Sequence, residues 1–250
     1  ARVAQWLEGG AEWEKARKIY PVYVEISPAG ACNHRCTFCA VDYIGYKTQF
    51  LDKAVLMDRL SEMGGLGVKS AMFAGEGEPL LHRAMGEIVR HAKGAGVDCS
   101  FTTNAVALTE RFLDEALSSI SWIKASINAG TAETYGKVHM TNPLDFEKAL
   151  GNMGRAAVLK RDRNIPVTLG AQMVLLPENS GEAVELAKRA KGIGLDYLVV
   201  KPYSQHKFSV THRYENVRYG DYMRLADELE KLDDEGFHVV FRKHTMAKHD

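Results

Sequence analysis

The chain lacks the features that mark several classes of protein. Its 250 residues balance 32 basic against 32 acidic side chains, and no run of like charge points to a nucleic-acid backbone as partner. No apolar run approaches the roughly 18 to 20 residues that cross a bilayer. The first residues lack the basic-then-apolar order of a secretory signal. We therefore expect a cytoplasmic protein for which neither nucleic acid nor a membrane is a favoured partner.

Cysteine is scarce and unevenly placed. Three of the four cysteines, Cys32, Cys36 and Cys39, lie within "ACNHRCTFC" (31–39), and the chain has none after Cys99. An extracellular disulfide framework would normally spread an even number of cysteines along the chain, whereas cytosolic thiols stay reduced. The triplet therefore indicates a metal-binding or catalytic site. Cys99 lies in an apolar segment and is interpreted as a buried small hydrophobe.

Strand-like and helix-like segments alternate along the whole chain. Strands are predicted over 21–27, 69–75, 97–103, 121–128, 166–176, 195–203 and 237–243, and helices over 51–67, 80–96, 108–119, 143–163, 180–194 and 219–236. Such units form right-handed crossovers between parallel strands, but six of them fall short of the eight of a complete barrel. We expect an α/β fold, a partial (β/α)6 TIM-like barrel over residues 21–250, with an N-terminal helical extension over 1–20.

The cysteine spacing, Cys-x3-Cys-x2-Cys, fits one small metal centre. Thiolates are soft ligands that suit iron–sulfur clusters, zinc or copper(I). Three ligands on a four-iron cluster leave one iron open to an outside ligand, as catalytic zinc sites also keep an open position. The alternative is a zinc site completed by His34 or by a remote histidine.

Two stretches resemble the motifs of one enzyme family. "CNHRCTFC", with Phe38 before its last cysteine and a predicted strand before the loop, resembles the cysteine motif of the radical S-adenosylmethionine (radical SAM) superfamily. "FAGEGEPLLH" (73–82) resembles that family's glycine–glutamate–proline motif. The resemblance covers about residues 20–243. It implies a [4Fe–4S] cluster on Cys32, Cys36 and Cys39, S-adenosylmethionine on the fourth iron, and a one-electron donor such as flavodoxin or ferredoxin.

The residues of the glycine–glutamate loop by themselves indicate a loop that binds a ligand. Gly75 and Gly77 allow the backbone to approach a ligand closely, and one carboxylate is available for a cation. The resemblance implies that this carboxylate, Glu78, contacts the methionine ammonium of the cofactor. A dinucleotide fingerprint fails here because Leu80 occupies its third glycine position. A loop that caps the next helix is the structural alternative.

Further cofactor contacts are expected at the ends of strands three to five. Ser126 and Asn128 alternate on one face of strand four, so both side chains can point inward, and their segment resembles the one that reaches the cofactor ribose. The other expected contacts are Thr102, Asn104 and Gln172. A strand end feeding a turn and a mixed core strand are the alternatives for these positions.

The end of strand six, "KPYSQHKFS" (201–209), is the most polar strand end in the chain. Lys201, Tyr203 and His206 are expected at the mouth of the barrel, where substrate enters; a solvated loop is the alternative. Glu25 and Lys124 interrupt apolar strands, and charges are rarely buried without partners. They form either an inward pair lining the cavity or an outward-facing pair.

The resemblance implies the first half of a reaction. A 5′-deoxyadenosyl radical, produced by reductive cleavage of S-adenosylmethionine, removes a hydrogen atom from the substrate. We expect a small-molecule or peptide-derived substrate, with oxidation or epimerisation as the outcome. An activating enzyme for a glycyl-radical partner and a non-catalytic metal-binding module are the alternatives.

Overall fold

The structure of the protein is a computed structural model that describes residues 2–248; residues 1 and 249–250, at the ends of the two predicted domains, lie outside this range. Its strands are β1 (Tyr23–Ile26), β2 (Ser70–Phe73), β3 (Asp98–Thr103), β4 (Ile120–Ser126), β5 (Thr168–Leu175), β6 (Tyr197–Pro202) and β7 (His238–Phe241). Its helices are α1 (Arg2–Gly9), α2 (Trp13–Ala16), α3 (Lys53–Gly65), α4 (Met85–Gly94), α5 (Glu110–Ala116), α6 (Ala132–His139), α7 (Leu144–Asp162), α8 (Ala183–Gly192), α9 (Leu225–Glu230) and α10 (Lys243–Met246). Within 2–248, no helix has the length and apolar composition needed to cross a membrane.

All seven strands form one parallel sheet in the order of the chain. Among the described residues nothing pairs β1 with β7, so the sheet stays open and these strands are its edges. Helices that follow each strand cover one face of such a sheet. The predicted partial (β/α)6 barrel is confirmed, with β7 as an added last strand and α1 and α2 as the helical stretch before β1.

The two faces of the sheet differ in burial. On β4, Ile123 and Ala125 are fully buried, whereas Lys124 and Ser126 are only half-buried. Because side chains alternate along a strand, the first pair points to the helices and the second into the barrel. The outward residues belong to one large apolar cluster that also takes in α3, α4, α5, α7 and α8. This leaves the inner face for polar groups and a cavity.

Two elements differ from the sequence prediction. Helix α6 lies between the predicted strand 121–128 and the predicted helix 143–163, where no element was predicted. The side chain of Glu182, about fifty residues later, accepts hydrogen bonds from Thr131 and Thr134 at the start of this helix. A local pattern does not show such a partner. Helix α9 is shorter than the predicted 219–236, because the Asp234 carboxylate accepts hydrogen bonds from two backbone N–H groups and turns the chain towards β7.

Candidate active site

The loops at the carboxyl ends of the strands enclose a cavity of about 560 Å³. This volume lies within the roughly 300 to 1,000 Å³ typical of small-molecule sites. The structure brings together in its wall most of the residues singled out from the sequence. They are Cys32, Cys36, Phe38, Cys39, Gly75, Gly77, Glu78, Thr102, Asn104, Ser126, Gln172, Lys201 and Tyr203.

Asn128 and His206 are placed differently. Asn128 is fully buried, and its side-chain oxygen accepts a hydrogen bond of 2.6 Å from the backbone N–H of Val174. His206 stacks on Tyr43, with ring centroids 5.3 Å apart and the rings nearly parallel. Neither Asn128 nor His206 lines the cavity at the carboxyl ends of the strands. Their predicted roles at the cofactor and at the substrate stay predictions.

Two of the three cysteine thiols in the loop after β1, those of Cys32 and Cys36, occupy an environment that disfavours the free thiolate. Burial raises the pKa of Cys32 to about 11, against the effect of a hydrogen bond from the backbone N–H of His34. Burial also raises the pKa of Cys36 well above its ordinary value, and the negative charge of Cys32 and Cys39 adds to this. Without a cation, Cys32 and Cys36 therefore hold their protons at neutral pH. A cation held among them offsets the repulsion, since metal ligation deprotonates a thiol.

Glu78 lies in the wall of the same cavity and is only 3% exposed. Its carboxylate accepts hydrogen bonds from Thr103 Oγ1 at 2.5 Å, from the backbone N–H of Asn104 at 2.8 Å and from that of Leu80 at 3.0 Å. Burial raises the pKa of Glu78 although these bonds lower it. The Leu80 bond makes it the cap of a short 3-10 turn, so the helix-capping alternative holds in part. The carboxylate joins the loop after β2 to the end of β3.

Gly77 allows the loop after β2 to lie in direct contact with the cysteine loop. A Cβ placed on it would collide with the backbone carbonyl oxygens of Ala29 and Ala31. The adjacent Glu78 backbone N–H donates to the Ala31 carbonyl at 2.8 Å. The glycine is therefore needed for contact between the two loops; it also lines the cavity, and its close approach to a ligand stays a prediction.

Gly77→Ala tests this contact. We expect the free energy of unfolding to fall by about 1 to 3 kcal/mol, the usual penalty of overpacking, and the cysteine loop to bind metal more weakly. Gly151→Ala is the matched control: it lies exposed inside α7 with nothing within 4 Å of a new Cβ, so it should raise stability by about 0.8 to 1 kcal/mol. Chemical denaturation of the metal-free protein measures the free energy of unfolding of both variants. Equal effects of the two substitutions would contradict the proposed collision.

His139, the last residue of α6, lies at the site but was not predicted from the sequence. Its ring is buried, and the Nδ1 atom lies 3.2 Å from Cys36 Sγ. The backbone N–H of Asn128 donates to Nε2 at 3.2 Å. Burial lowers the pKa of His139 well below its ordinary value, so the ring is neutral. Because a neutral imidazole has one donor and one acceptor nitrogen, Nε2 is the acceptor and Nδ1–H donates to the sulfur.

A segment after β6 covers the cysteine loop from outside. The Asp42 carboxylate accepts hydrogen bonds from Ser209 Oγ and from the backbone N–H groups of Val210 and Thr211. Although partial burial raises the pKa of Asp42, these bonds give a net lowering. The Thr211 hydroxyl also donates to the Thr37 carbonyl at 3.1 Å. The loop after β6 thus holds the cysteine loop against the cavity.

Sheet and site together define a class: an open parallel α/β barrel with three clustered cysteine thiols at the carboxyl ends of its strands. The family model of the Radical SAM superfamily matches residues 26–190, and the chain belongs to that superfamily. Its cofactors are a [4Fe–4S] cluster and S-adenosylmethionine. The site fits this pair, because it offers three half-buried soft ligands, a buried carboxylate that forms no ion pair within residues 2–248, and space for a ligand.

Two relatives match this chain in sequence, and one solved protein matches it in fold. The chain is 29% identical to a GTP 3',8-cyclase of Chlorobaculum tepidum, over 84% of this chain and 63% of the relative. It is 29% identical to a dTDP-4-amino-4,6-dideoxy-D-glucose ammonia-lyase of Streptomyces venezuelae, over 68% and 36%. Streptococcus suis SuiB bound to S-adenosylmethionine matches with a TM-score of 0.71 and 14% identity, over 94% and 54%. SuiB bound to precursor peptide SuiA gives 0.69. The chain spans about a third to two thirds of these proteins.

Proposed function

We propose that this protein is a radical SAM enzyme in which Cys32, Cys36 and Cys39 hold the [4Fe–4S] cluster. The observation that carries the proposal is the convergence of these three thiols and the Glu78 carboxylate on one cavity. When bound, the cluster and S-adenosylmethionine supply a 5′-deoxyadenosyl radical that removes a hydrogen atom from a substrate carbon.

The residues of this chain then have separable tasks. Glu78 accepts the ammonium group of S-adenosylmethionine, because it is a buried carboxylate whose charge no cation balances in the wall of the cavity. Ser126 and Gln172, neighbours in the β4–β5 register, offer hydroxyl and amide groups to the same ligand. Lys201 and Tyr203 stand where a substrate enters. The loop held by Asp42 limits access of water to the thiols.

The substrate is proposed to be a small molecule or a peptide-derived compound. The two relatives in sequence are named for small nucleotide compounds, GTP and a dTDP-linked sugar, and SuiB was crystallised with a precursor peptide. Flavodoxin or ferredoxin is the proposed electron donor. Oxidation or epimerisation of the substrate stays a prediction from the sequence.

Anaerobic reconstitution with iron and sulfide, followed by dithionite and S-adenosylmethionine, tests the proposal. We expect about four irons per chain, a brown chromophore and release of 5′-deoxyadenosine. Deuterium transferred from candidate substrates into 5′-deoxyadenosine then reports the substrate class. A protein that takes up iron and sulfide but cleaves no S-adenosylmethionine would refute the assignment.

A metal-binding module without catalysis is the second candidate, because one observation favours it. His34, Cys36 and His139 place a ligand atom each within 4.8 Å of one another. His34 is buried; its Nε2 atom lies 3.5 Å from an Asp145 carboxylate oxygen, and neither ring nitrogen makes a well-aligned hydrogen bond in the described part of the chain. One zinc and no iron in the anaerobic protein, with Cys32 and Cys39 dispensable for binding, would support this candidate against the cluster.

His139 provides a further test of the cluster assignment. We expect His139→Leu to assemble the cluster and to lower its reduction potential by about 50 mV, roughly 1 kcal/mol for one electron, because a donated hydrogen bond stabilises the reduced, more negative state. Protein-film voltammetry or a redox titration followed by EPR measures the shift. Tyr135→Phe is the control, since the Tyr135 ring stacks on His139 at 4.1 Å while its buried hydroxyl has no partner among the described residues. An equal shift in both variants would contradict the role of the Nδ1–H group.

A further inference from the structure

Three cations lie near one another at β4, at β6 and just after β7; Lys124 and Lys201 are half-buried, and Arg242 is exposed. Lys124 shares the inner face of β4 with Ser126, and Lys201 occupies the inner face of β6. Arg242 directly follows β7, where its backbone N–H donates to Val200 of β6. Lys124 and Arg242 are close enough to Lys201 to disfavour its charge, and Arg242 does the same to Lys124.

These cations are not neutralised by the protein. Within residues 2–248 none of the three side chains has an ion pair or a hydrogen bond. The carboxylate that attracts Lys124 is Glu25, which accepts its hydrogen bond of 2.7 Å from the Tyr23 hydroxyl instead. Elsewhere a half-buried lysine is paired: Lys160 binds both carboxylate oxygens of Asp196. On this side of the barrel three cations stand against one carboxylate, Glu25, since the other carboxylate of the cavity wall, Glu78, is bonded to Thr103 and Asn104.

The charge is unusual because it is partly desolvated. Lys124 and Lys201 are half-buried, and burial is the main reason why the pKa of each is lowered. Charged groups are seldom held together out of water without counter-charges. Folding alone therefore gains nothing from this arrangement, and an anionic ligand would remove the repulsion.

Of the three cations, Lys201 lines the active-site cavity and so connects the group to it. Lys201 and Glu25 line the same cavity as Cys36, Glu78 and Gln172. A group bound by the cations would thus belong to a molecule that shares the cavity with the proposed cofactor. Lysine acts on oxyanions as a point charge, and arginine binds phosphate or carboxylate through a planar fork.

We propose that Lys124, Lys201 and Arg242 form an oxyanion subsite that holds a phosphate or carboxylate group of the substrate. This proposal rests on the proposed function, because it places the substrate beside S-adenosylmethionine. It deepens that function by naming the chemical class: the substrate carries at least one negative group, which anchors it at β4 and β6 while another part lies near the thiols.

The test is anion binding by the reconstituted protein with saturating S-adenosylmethionine and no reductant. Inorganic phosphate and succinate, both dianions, are titrated at constant ionic strength and followed by calorimetry and by the midpoint of thermal unfolding. We expect one of them to bind saturably at millimolar concentration. Lys124→Gln and Lys201→Gln should each weaken that binding about tenfold or more, and Lys201→Arg should retain it. Preference for phosphate or for succinate identifies the source of the oxyanion.

Lys148→Gln is the matched control, because Lys148 is an exposed lysine on the outer helix α7 with no ion pair in the described chain. It should leave anion binding unchanged. Without anion, Lys124→Gln and Lys201→Gln should unfold at an equal or higher temperature than the parent protein, since each removes repulsion; this also excludes misfolding as the cause of lost binding. Absence of saturable binding, or binding insensitive to both substitutions, overturns the subsite.

Failure of the subsite and failure of the proposed function give different results. A protein that releases 5′-deoxyadenosine but binds no anion refutes the subsite alone. A protein that binds phosphate or succinate through Lys124 and Lys201 but neither assembles a cluster nor cleaves S-adenosylmethionine refutes the enzymatic assignment and keeps the subsite.

Discussion

Cys36→Ala removes the iron–sulfur chromophore and the release of 5′-deoxyadenosine together. Cys36 is the middle ligand of the proposed cluster, and its sulfur is the one that His139 contacts. Two remaining thiols leave two irons without a protein ligand, so the four-iron cluster loses its anchorage. Activity should fall to the level of the protein without iron. Iron and sulfide content, visible absorbance and 5′-deoxyadenosine release measure the effect after anaerobic reconstitution.

Cys99→Ala is the control for this experiment. Cys99 is also buried, but it lies on β3 among the apolar residues of the core and outside the cavity wall. Its replacement should preserve full iron content and 5′-deoxyadenosine release. Iron retained at four per chain in Cys36→Ala would refute the assignment of this thiol, and iron lost in Cys99→Ala would show that general destabilisation explains the result.

Glu78→Gln separates cofactor binding from cluster assembly. The substitution keeps the shape of the side chain but removes its charge. The backbone N–H groups of Leu80 and Asn104 donate to the two carboxylate oxygens of Glu78, and in glutamine one of these oxygens is replaced by an N–H₂ group that cannot accept such a bond. We expect the cluster to assemble and the binding of S-adenosylmethionine to weaken by about 1.5 to 3 kcal/mol, the range for a hydrogen bond to a charged group. Calorimetric titration of the oxidised, reconstituted protein measures this affinity.

Glu76→Gln is the matched control, two residues earlier in the same loop. Glu76 is exposed. Its backbone N–H donates a hydrogen bond to Ser27 Oγ, and a substitution of the side chain leaves this bond in place. Its affinity for S-adenosylmethionine should stay unchanged. Unchanged affinity in Glu78→Gln would refute the ammonium contact and leave Glu78 as a purely structural link between the loop after β2 and the end of β3.

Much of the site was predictable because its parts lie in short local motifs. The three cysteines and the glycine–glutamate loop are contiguous in sequence, and each follows a strand. Since parallel strands bring their carboxyl ends to one edge, alternation alone placed both loops together. Ser126 and Gln172, which come from different strands, line the cavity for the same reason.

The residues missed or misplaced depend on contacts between distant segments. Helix α6 is held at its start by Glu182, and this helix carries His139 to Cys36. Asn128 was predicted on the inner face of its strand, but β4 ends at Ser126, and the Asn128 amide bonds to Val174 and His139. Glu25 and Lys124 do attract each other across the barrel, yet they form no ion pair within residues 2–248.

The sequence by itself determined the order of strands and helices, the cysteine spacing and the family to which they belong, because each of these is written in residues close together along the chain. Only the tertiary structure decided which histidine reaches a thiol, where the loop after β6 lies and which cations lie near one another at β4, at β6 and just after β7. These depend on the curvature of the sheet and on side-chain contacts between segments about fifty to more than one hundred residues apart, and no local periodicity encodes such distances.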